Sequence, residues 1–415
     1  MEIVKKLPPR YAFRRRQGTG LVCFLLLVPL FFSACNQDPI FYTIAQEVKL
    51  LEPRIKGTPT NIVFFAGKIY VANRSSLYRY GRPAADQNPV WDKPSQPGGE
   101  IRGLAATTGY LYALTGNGLK RLSAANAANG GDWESVGIDD TGTTVLSYPS
   151  LQTIYADSQM LFAGSGNGAP NSASSNYAIL YADESENKLK GLIDGVHLLT
   201  GAALSGTNHF LSTAGSGIYV FNGAGTPLPI PNTEDSHITG IIAMADDTVA
   251  AADRSGNILK VTASGSVEVA DINYRTTGAL ALWRSPPVSP DTSFKDDDQN
   301  HPDKAAPNLL LAGIQGSTSS TSQTYTNGYR ELVLNSTGSL PDSSVTISTP
   351  GDGTPTTVSN NATYTSSLGE LPINYIFQVP YTVDPAMPLF ASTHGEDGLW
   401  SYRQRSEGPQ WNAEE

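Results

Sequence analysis

The chain has 415 residues, only two cysteines and a formal net charge of −10 at pH 7. So acidic a chain has no electrostatic footprint for nucleic acid. Cys23 lies inside an apolar N-terminal run and Cys35 just after it. This excludes a disulfide, a cysteine zinc site or a thiol nucleophile in the rest of the chain.

The first segment reads as an address. Lys5, Lys6, Arg10 and Arg14–Arg16 precede an apolar run from Leu21 to Phe32. That run is shorter than the ~20 residues a helix needs to span a bilayer, and its basic flank fits an export signal. It ends in Phe32-Ser33-Ala34-Cys35. Small residues directly before a cysteine resemble the lipobox of bacterial lipoproteins, although Phe32 stands where Leu is commoner. The resemblance implies a signal peptide over 1–34, a lipid on Cys35 and a lipidated tether over 35–59. An ordinary signal peptide that happens to contain a cysteine is the alternative. Losing residues 1–34 removes six bases and one acid and moves the charge from −10 to −15. The lipid, and not the surface, would then hold the protein to a membrane.

Residues 44–51 form an apolar stretch that can make a strand or short helix. From Thr60 a repeat begins and predicts seven units. Asn61–Ala66, Lys68–Asn73, Leu77–Tyr80 and Val90–Asp92 make the first. Ile101–Ala106, Tyr110–Leu114, Leu119–Leu122 and Asp132–Val136 make the second, and Leu151–Ala156, Met160–Gly164 and Tyr177–Tyr181 the third. The fourth is Leu199–Leu204, His209–Thr213, Gly217–Phe221 and Leu228–Ile230. The fifth is Ile238–Ala245, Thr248–Ala252, Asn257–Val261 and Ser266–Ala270, with tight Asp-rich turns. The sixth is Thr277–Trp283, Leu309–Ile314 and Arg330–Leu334. The seventh is Ile373–Val379, Leu389–Thr393 and Leu399–Tyr402. Its outer strand is either Gln410–Asn412 or the 44–51 stretch; the second, a latch between the two termini, is the favoured reading.

Two submotifs recur. First strands share the shape of Ile101-Arg102-Gly103-Leu104, Leu199-Thr200-Gly201-Ala202, Ile238-Thr239-Gly240-Ile241 and Thr276-Thr277-Gly278-Ala279. Third strands share that of Ser76-Leu77-Tyr78-Arg79-Tyr80, Gly118-Leu119-Lys120-Arg121-Leu122, Gly217-Ile218-Tyr219-Val220-Phe221 and Gly398-Leu399-Trp400-Ser401-Tyr402. Four-stranded units at a period of about 40–50 residues predict an all-β fold, a β-propeller of seven blades over 60–415. Gly103, Gly201, Gly240 and Gly278 would let inner strands converge on the axis.

The third-strand motif resembles the blades of propellers attached to two-component regulators and is broadly similar to NHL and YVTN propellers, over residues 60–403. Pyrroloquinoline-quinone-type blades are approached only by Ala252-Asp253-Arg254-Ser255-Gly256. These resemblances imply an architecture and no activity.

Four stretches break the period: 164–176, 285–307, 316–327 and 335–368. They are rich in Gly, Ser, Thr or Asn, or in charge, and read as exposed loops. Propeller geometry puts 164–176, 316–327 and part of 335–368 on one face. No catalytic constellation stands out. Asp296–Asp298 lacks the alternating ligands and glycine of a calcium loop and reads as a solvated loop. His197, His209, His237, His301 and His394 lack metal-ligand spacing. Ser392–Trp400 is faintly similar to a sialidase Asp-box with its Asp misplaced, and no Gly-x-Ser-x-Gly elbow occurs. A lactonase-type metal site would need Asn61, Glu100 and Asn374 at the channel mouth. No catalytic residue, cofactor or metal is therefore expected.

The better candidate is a recognition surface on one rim. Second-to-third-strand turns supply Asn73, Arg74, Asn117, Asn167, Asp253, Arg254, His394 and Glu396, and inter-blade loops supply Arg54, Tyr148, His197, His237, Tyr274 and Arg275. Arg, Tyr and His are residues that interfaces favour. The expectation is a protein-interaction scaffold anchored through Cys35 in a bacterial envelope, periplasmic or surface-exposed, with a protein partner. A small-ligand receptor or metal-assisted hydrolase with its site at the channel mouth is the alternative.

Overall fold

The computed structural model describes residues 55–414 apart from 56, 85–86, 140–150, 167–176, 273, 285–305, 318–327, 343–346, 349–371, 394–397 and 406–407. Cys35, residues 44–51, Arg54, Tyr148, Asn167, Asp296–Asp298, His301, His394 and Glu396 lie outside them.

Seven sheets follow one another along the chain. The first blade is β1 (Pro59–Phe65), β2 (Lys68–Asn73), β3 (Ser76–Gly81) and β4 (Val90–Asp92). The second is β5 (Ile101–Ala106), β6 (Tyr110–Thr115), β7 (Gly118–Ser123) and β8 (Glu134–Ser135), with a short helix α1 (Ala124–Asn129) after β7. Next come β9 (Gly137–Ile138) and the third blade, β10 (Leu151–Ala156), β11 (Met160–Gly166), β12 (Tyr177–Asp183) and β13 (Lys188–Val196). The fourth is β14 (Leu199–Ser205), β15 (Asn208–Thr213), β16 (Ile218–Phe221) and β17 (Leu228–Pro229). The fifth is β18 (Ile238–Ala243), β19 (Val249–Asp253), β20 (Asn257–Thr262) and β21 (Gly265–Asp271). The sixth is β22 (Tyr274–Trp283), β23 (Leu309–Ser317), β24 (Gly328–Val333) and β25 (Ile347–Ser348). The seventh is β26 (Ile373–Gln378), β27 (Leu389–Thr393), β28 (Leu399–Arg405) and β29 (Gly408–Ala413).

Each blade is an antiparallel meander in chain order, and β9 adds a parallel fifth strand to the rim of the third. The first strand of each blade is innermost, and these strands neighbour one another around a ring that returns from β26 to β1. This is a seven-bladed β-propeller, as the repeat predicts. A blade alone buries too little apolar surface to be stable, so the core sits in the seams. Each seam has its own cluster: Phe65, Tyr70 and Leu104 between the first two blades, Ala250, Ile258 and Leu310 between the fifth and sixth, and Ile62, Tyr80, Trp91 and Phe390 between the seventh and first.

The first-strand motif has a physical meaning. In six blades the inner strand carries a one-residue bulge near its start, at Thr60, Arg102, Gln152, Thr200, Thr239 and Asn374. A bulge bends and twists a strand, here where it enters the crowded mouth of the channel. Past the bulge, glycine is required in two of the motif copies. A Cβ on Gly240 would overlap the Gly278 carbonyl, and one on Gly278, itself at φ 86°, the Thr239 carbonyl. Gly103 is different: its Cβ would meet only Ile154 Cγ1, at 3.4 Å, which is ordinary contact. The close convergence expected there is confined to the other copies.

Four details depart from expectation. The outer place in the seventh blade is filled by β29, which pairs with β28 along its whole length. The favoured reading, that residues 44–51 take that place, is corrected. The third blade has an outer strand, β13, that the sequence reading does not assign, and the sixth has β25. The segment read as one outer strand, Asp132–Val136, is cut at Val136: Glu134–Ser135 stays with the second blade while Gly137–Ile138 crosses to the third. Finally, α1 forms where Ser123 accepts from Asn126 N and Gly130, at φ 71°, closes the far end.

Candidate interaction surface

Antiparallel meanders put the second-to-third-strand turns and the inter-blade loops at one end of every blade. The described candidates therefore share one face, and so do the end of β11, the start of β12, the end of β23 and the start of β24. β25 falls within 335–368, so this stretch is not one loop; its residues 343–346 and 349–368 lie outside the described residues.

The turn at the end of each second strand is made by a side chain. Asn73 Oδ1 accepts from Ser76 N at 2.9 Å and from Ser75 Oγ at 3.1 Å. Asp253 Oδ1 accepts from the backbone N–H groups of Ser255, Gly256 and Asn257, and its Oδ2 from Asn257 Nδ2. Thr115 and Thr213 do the same work in the second and fourth blades. Asn73 and Asp253 thus build the face; their oxygens point back into their own turns.

The exposed candidates fall into two groups. In one, Arg74 and Asn117 flank the loop before β5. Ile101 N donates to Arg74 O and Gly116 N to Glu100 O, both at 2.8 Å. Glu100 then sits between Arg74 and Arg102, 3.9 Å from each. In the other group Arg254 N donates to His237 O at 2.9 Å, and Arg254 and Arg275 are exposed. His197 Nδ1 lies 2.7 Å from Ser216 Oγ. Burial, then the charges of Arg254 and His197, hold His237 below its ordinary value against a weaker pull from Asp253. Tyr274 is half-buried beneath this group, with the Arg330 guanidinium 4.6 Å from its ring centre.

The polar side chains nearest the axis hold blades together. Asn61 bonds both ends of its amide to the Leu104 backbone of the next blade. Thr153 donates to Leu199 O at 3.1 Å, Thr239 pairs with Thr276 at 2.5 Å, and Thr277 donates to Ile373 O. Asn61 and Glu100 therefore have other duties than the metal site imagined for them with Asn374. Among the described residues no group of three His, Cys, Asp or Glu is placed to hold a metal. Tyr155 and Tyr375 come from inner strands of the third and seventh blades, and burial raises both phenols, Tyr375 to about 12.

Two features escape sequence reading. At the opposite end of the channel, Phe64, Ile242, Leu280, Leu282, Phe377 and Met387 help to line an apolar cavity of about 420 Å³. At the outer edge of the first blade, Lys68, Arg79 and Arg82 meet in a second cavity of about 370 Å³. In sequence these are basic residues in or beside strands that look like any solvated charge.

No family model and no curated protein matches this chain. Among solved structures it is similar to PorZ, a bacterial surface component of the type-IX secretion system of Porphyromonas gingivalis, at 12% identity over 88% of this chain, with a TM-score of 0.48. The alignment covers 39% of the PorZ chain. YCF48 from Cyanidioschyzon merolae is 10% identical over 85% of this chain and 98% of its own, with a TM-score of 0.48. The WD40 β-propeller domain of Doa1 is 9% identical over 86% and 97%, with a TM-score of 0.47. These likenesses concern the fold alone, and the fold stands on the seven sheets described above.

Proposed function

We propose that this protein is a lipid-anchored propeller of a bacterial envelope that works as a non-enzymatic scaffold for a protein partner. One observation carries the reading. On the loop face the structural polar groups are consumed by turns and blade-to-blade hydrogen bonds, whereas Arg74, Asn117, Arg254 and Arg275 remain exposed around them. Exposed guanidinium groups on a rigid frame suit the centre of an interface. The lipid anchor rests on the residues before Cys35 and is a separate element of the proposal.

Each element has its own test. Cys35→Ala should release the protein to the soluble fraction; continued membrane retention contradicts the anchor. Arg74→Glu with Arg254→Glu should abolish capture of the partner from detergent-solubilised membranes while leaving the melting temperature unchanged. Undiminished capture contradicts the interface.

A small-ligand receptor is the second reading. The apolar 420 Å³ cavity at the far mouth of the channel favours it, being of a size that holds a small molecule.

A further inference from the structure

The turn between the first and second strands is two residues in the first and fourth blades, Ala66-Gly67 and Gly206-Thr207; in the seventh it is ten, Val379–Pro388. This longer turn is folded onto itself. Val383 N and Asp384 N donate to Pro380 O at 2.9 and 3.0 Å, Met387 N donates to Asp384 O at 2.9 Å, and Ala386 N donates to Asp384 Oδ1 at 3.0 Å. The other Asp384 oxygen accepts from the Tyr80 hydroxyl of the first blade at 2.6 Å. Val379, Val383 and Met387 are buried. Met387 sits at φ 44°, a left-handed backbone that a residue with a side chain adopts only where its surroundings hold it. Its side chain joins the wall of the apolar cavity of about 420 Å³, with Phe64, Ile242, Leu280 and Phe377 from the inner strands of four blades.

The polar groups described in this wall are already engaged. Gln378 Oε1 accepts from Arg284 N and its Nε2 donates to Arg284 O, both at 2.7 Å. Arg284 and Thr382 have interactions of their own. A polar or charged group entering from water would give up hydration for walls whose hydrogen bonds are made. An apolar group gives up nothing and covers apolar surface. Phe64 shows that such surface is there to cover. Of the four large apolar side chains exposed among the described residues it is the one at this mouth, 42% exposed. The volume is that of pockets that enclose one small molecule, and the unbranched Met387 side chain adapts to an occupant's shape.

We propose, resting on the small-ligand reading of this mouth, that the cavity is a site for one uncharged apolar molecule. Phe64, Ile242 and Phe377 of the inner strands hold it, together with Met387 of the long turn. The site shares no residue with the proposed protein interface at the other end of the channel.

Photolabelling of the full chain tests this. The uncharged probe is phenyl(trifluoromethyl)diazirine, and its charged counterpart is the benzoic acid of the same skeleton. Labelled peptides are mapped by mass spectrometry. The uncharged probe should mark the peptides that hold Phe64 and Met387, excess naphthalene should suppress the marking, and the acid should mark them about tenfold less. Ile242→Trp, which fills the cavity, and Phe64→Ser, at an exposed position, should each reduce the marking about tenfold, the packing that one buried ring supplies. Val267→Ser, at an exposed valine of another blade, should not. Circular dichroism checks that the variants fold, and Phe64→Ser serves if Ile242→Trp does not. Equal or stronger marking by the acid overturns the ligand class and leaves the small-ligand reading standing. Marking of these peptides by neither probe overturns both. Marking by the uncharged probe that the folded cavity variants retain in full also overturns the proposal.

Discussion

The Tyr80 hydroxyl of the first blade donates to the Asp384 carboxylate of the seventh at 2.6 Å, in a site closed to solvent. This contact joins residues 304 positions apart at the seam where the ring closes. The Trp91 ring packs at a tilt with its centre 4.9 Å from that of Tyr80 and 5.6 Å from that of Phe390, and its Nε1 donates to Glu414 at 3.2 Å. The two ends of the propeller are therefore held by side chains across the seam, with the seventh blade completed by its own C-terminal strand.

Tyr80→Phe should leave the Asp384 carboxylate short of a donor and cost about 1–3 kcal/mol. Trp91→Ala removes a large buried ring as well and should cost about 3–5 kcal/mol. Urea denaturation measures both. An effect of Trp91→Ala no larger than that of Tyr80→Phe would mean that the seam is not packed as described.

The inner glycines give a graded test. Gly240→Ala drives a methyl into the Gly278 carbonyl, and Gly278→Ala adds a left-handed backbone to the clash. Each should cost at least about 1–3 kcal/mol. Gly103→Ala, with 3.4 Å to its nearest neighbour, should be close to neutral. Melting temperatures should rise from Gly278→Ala through Gly240→Ala to Gly103→Ala; equal losses would contradict the geometry at the channel mouth.

These glycines also show what was legible in the sequence and what was not. The repeat was legible because blades reuse the same residues at the same register, so Gly201 and Gly240 announce inner strands and Leu77 or Ile218 third strands. Outer strands were weaker signals. β13 is largely solvent-facing, reads Lys188-Leu189-Lys190-Gly191-Leu192 at its start, and lacks an apolar alternation that sequence alone can weigh. Ring closure was not legible, because it depends on which distant chain end meets Tyr80 and Trp91. At the surface, residue type named Asn73 and Asp253 as candidates, but only coordinates show their oxygens turned onto their own backbone. The Lys68–Arg79–Arg82 cavity was invisible for the converse reason: the start of β2 and the end of β3 meet there only in the folded blade.

The buried pair His209 and Asp157 ties the third and fourth blades, with Nδ1–Oδ2 at 2.6 Å. Asp157 Oδ1 also accepts from Gln159 N and Met160 N, both at 2.9 Å. His209→Ala should cost about 3–5 kcal/mol, because it strands a buried carboxylate. Asp157→Asn should cost less, since it keeps the turn acceptors while removing the charge. Chemical denaturation of the two variants checks this; the reverse order would contradict it.

His237 gives a pH dependence with a definite sign. Its pKa in the folded protein lies below the ordinary 6.5. The unfolded chain therefore takes up the proton first as pH falls. The stability that neutral His237 contributes is complete above about pH 6.5 and is lost below it. The residue is only part-buried, so the effect should be small. Calorimetric melting at about pH 8 and about pH 5, roughly 1.5 units either side of the ordinary value, should show a shallower decline for His237→Gln than for the native chain. Equal or steeper decline would contradict the assignment.

The central claim, that the loop face engages a protein partner, is tested most directly by site-specific photo-crosslinking in intact cells. A photoreactive residue in place of Arg254, on the loop face, is compared with one in place of the exposed Ala224 on the opposite face. The account predicts one discrete protein adduct from position 254 and none from position 224. Absence of an adduct at 254, or the same adducts from both positions, would contradict it.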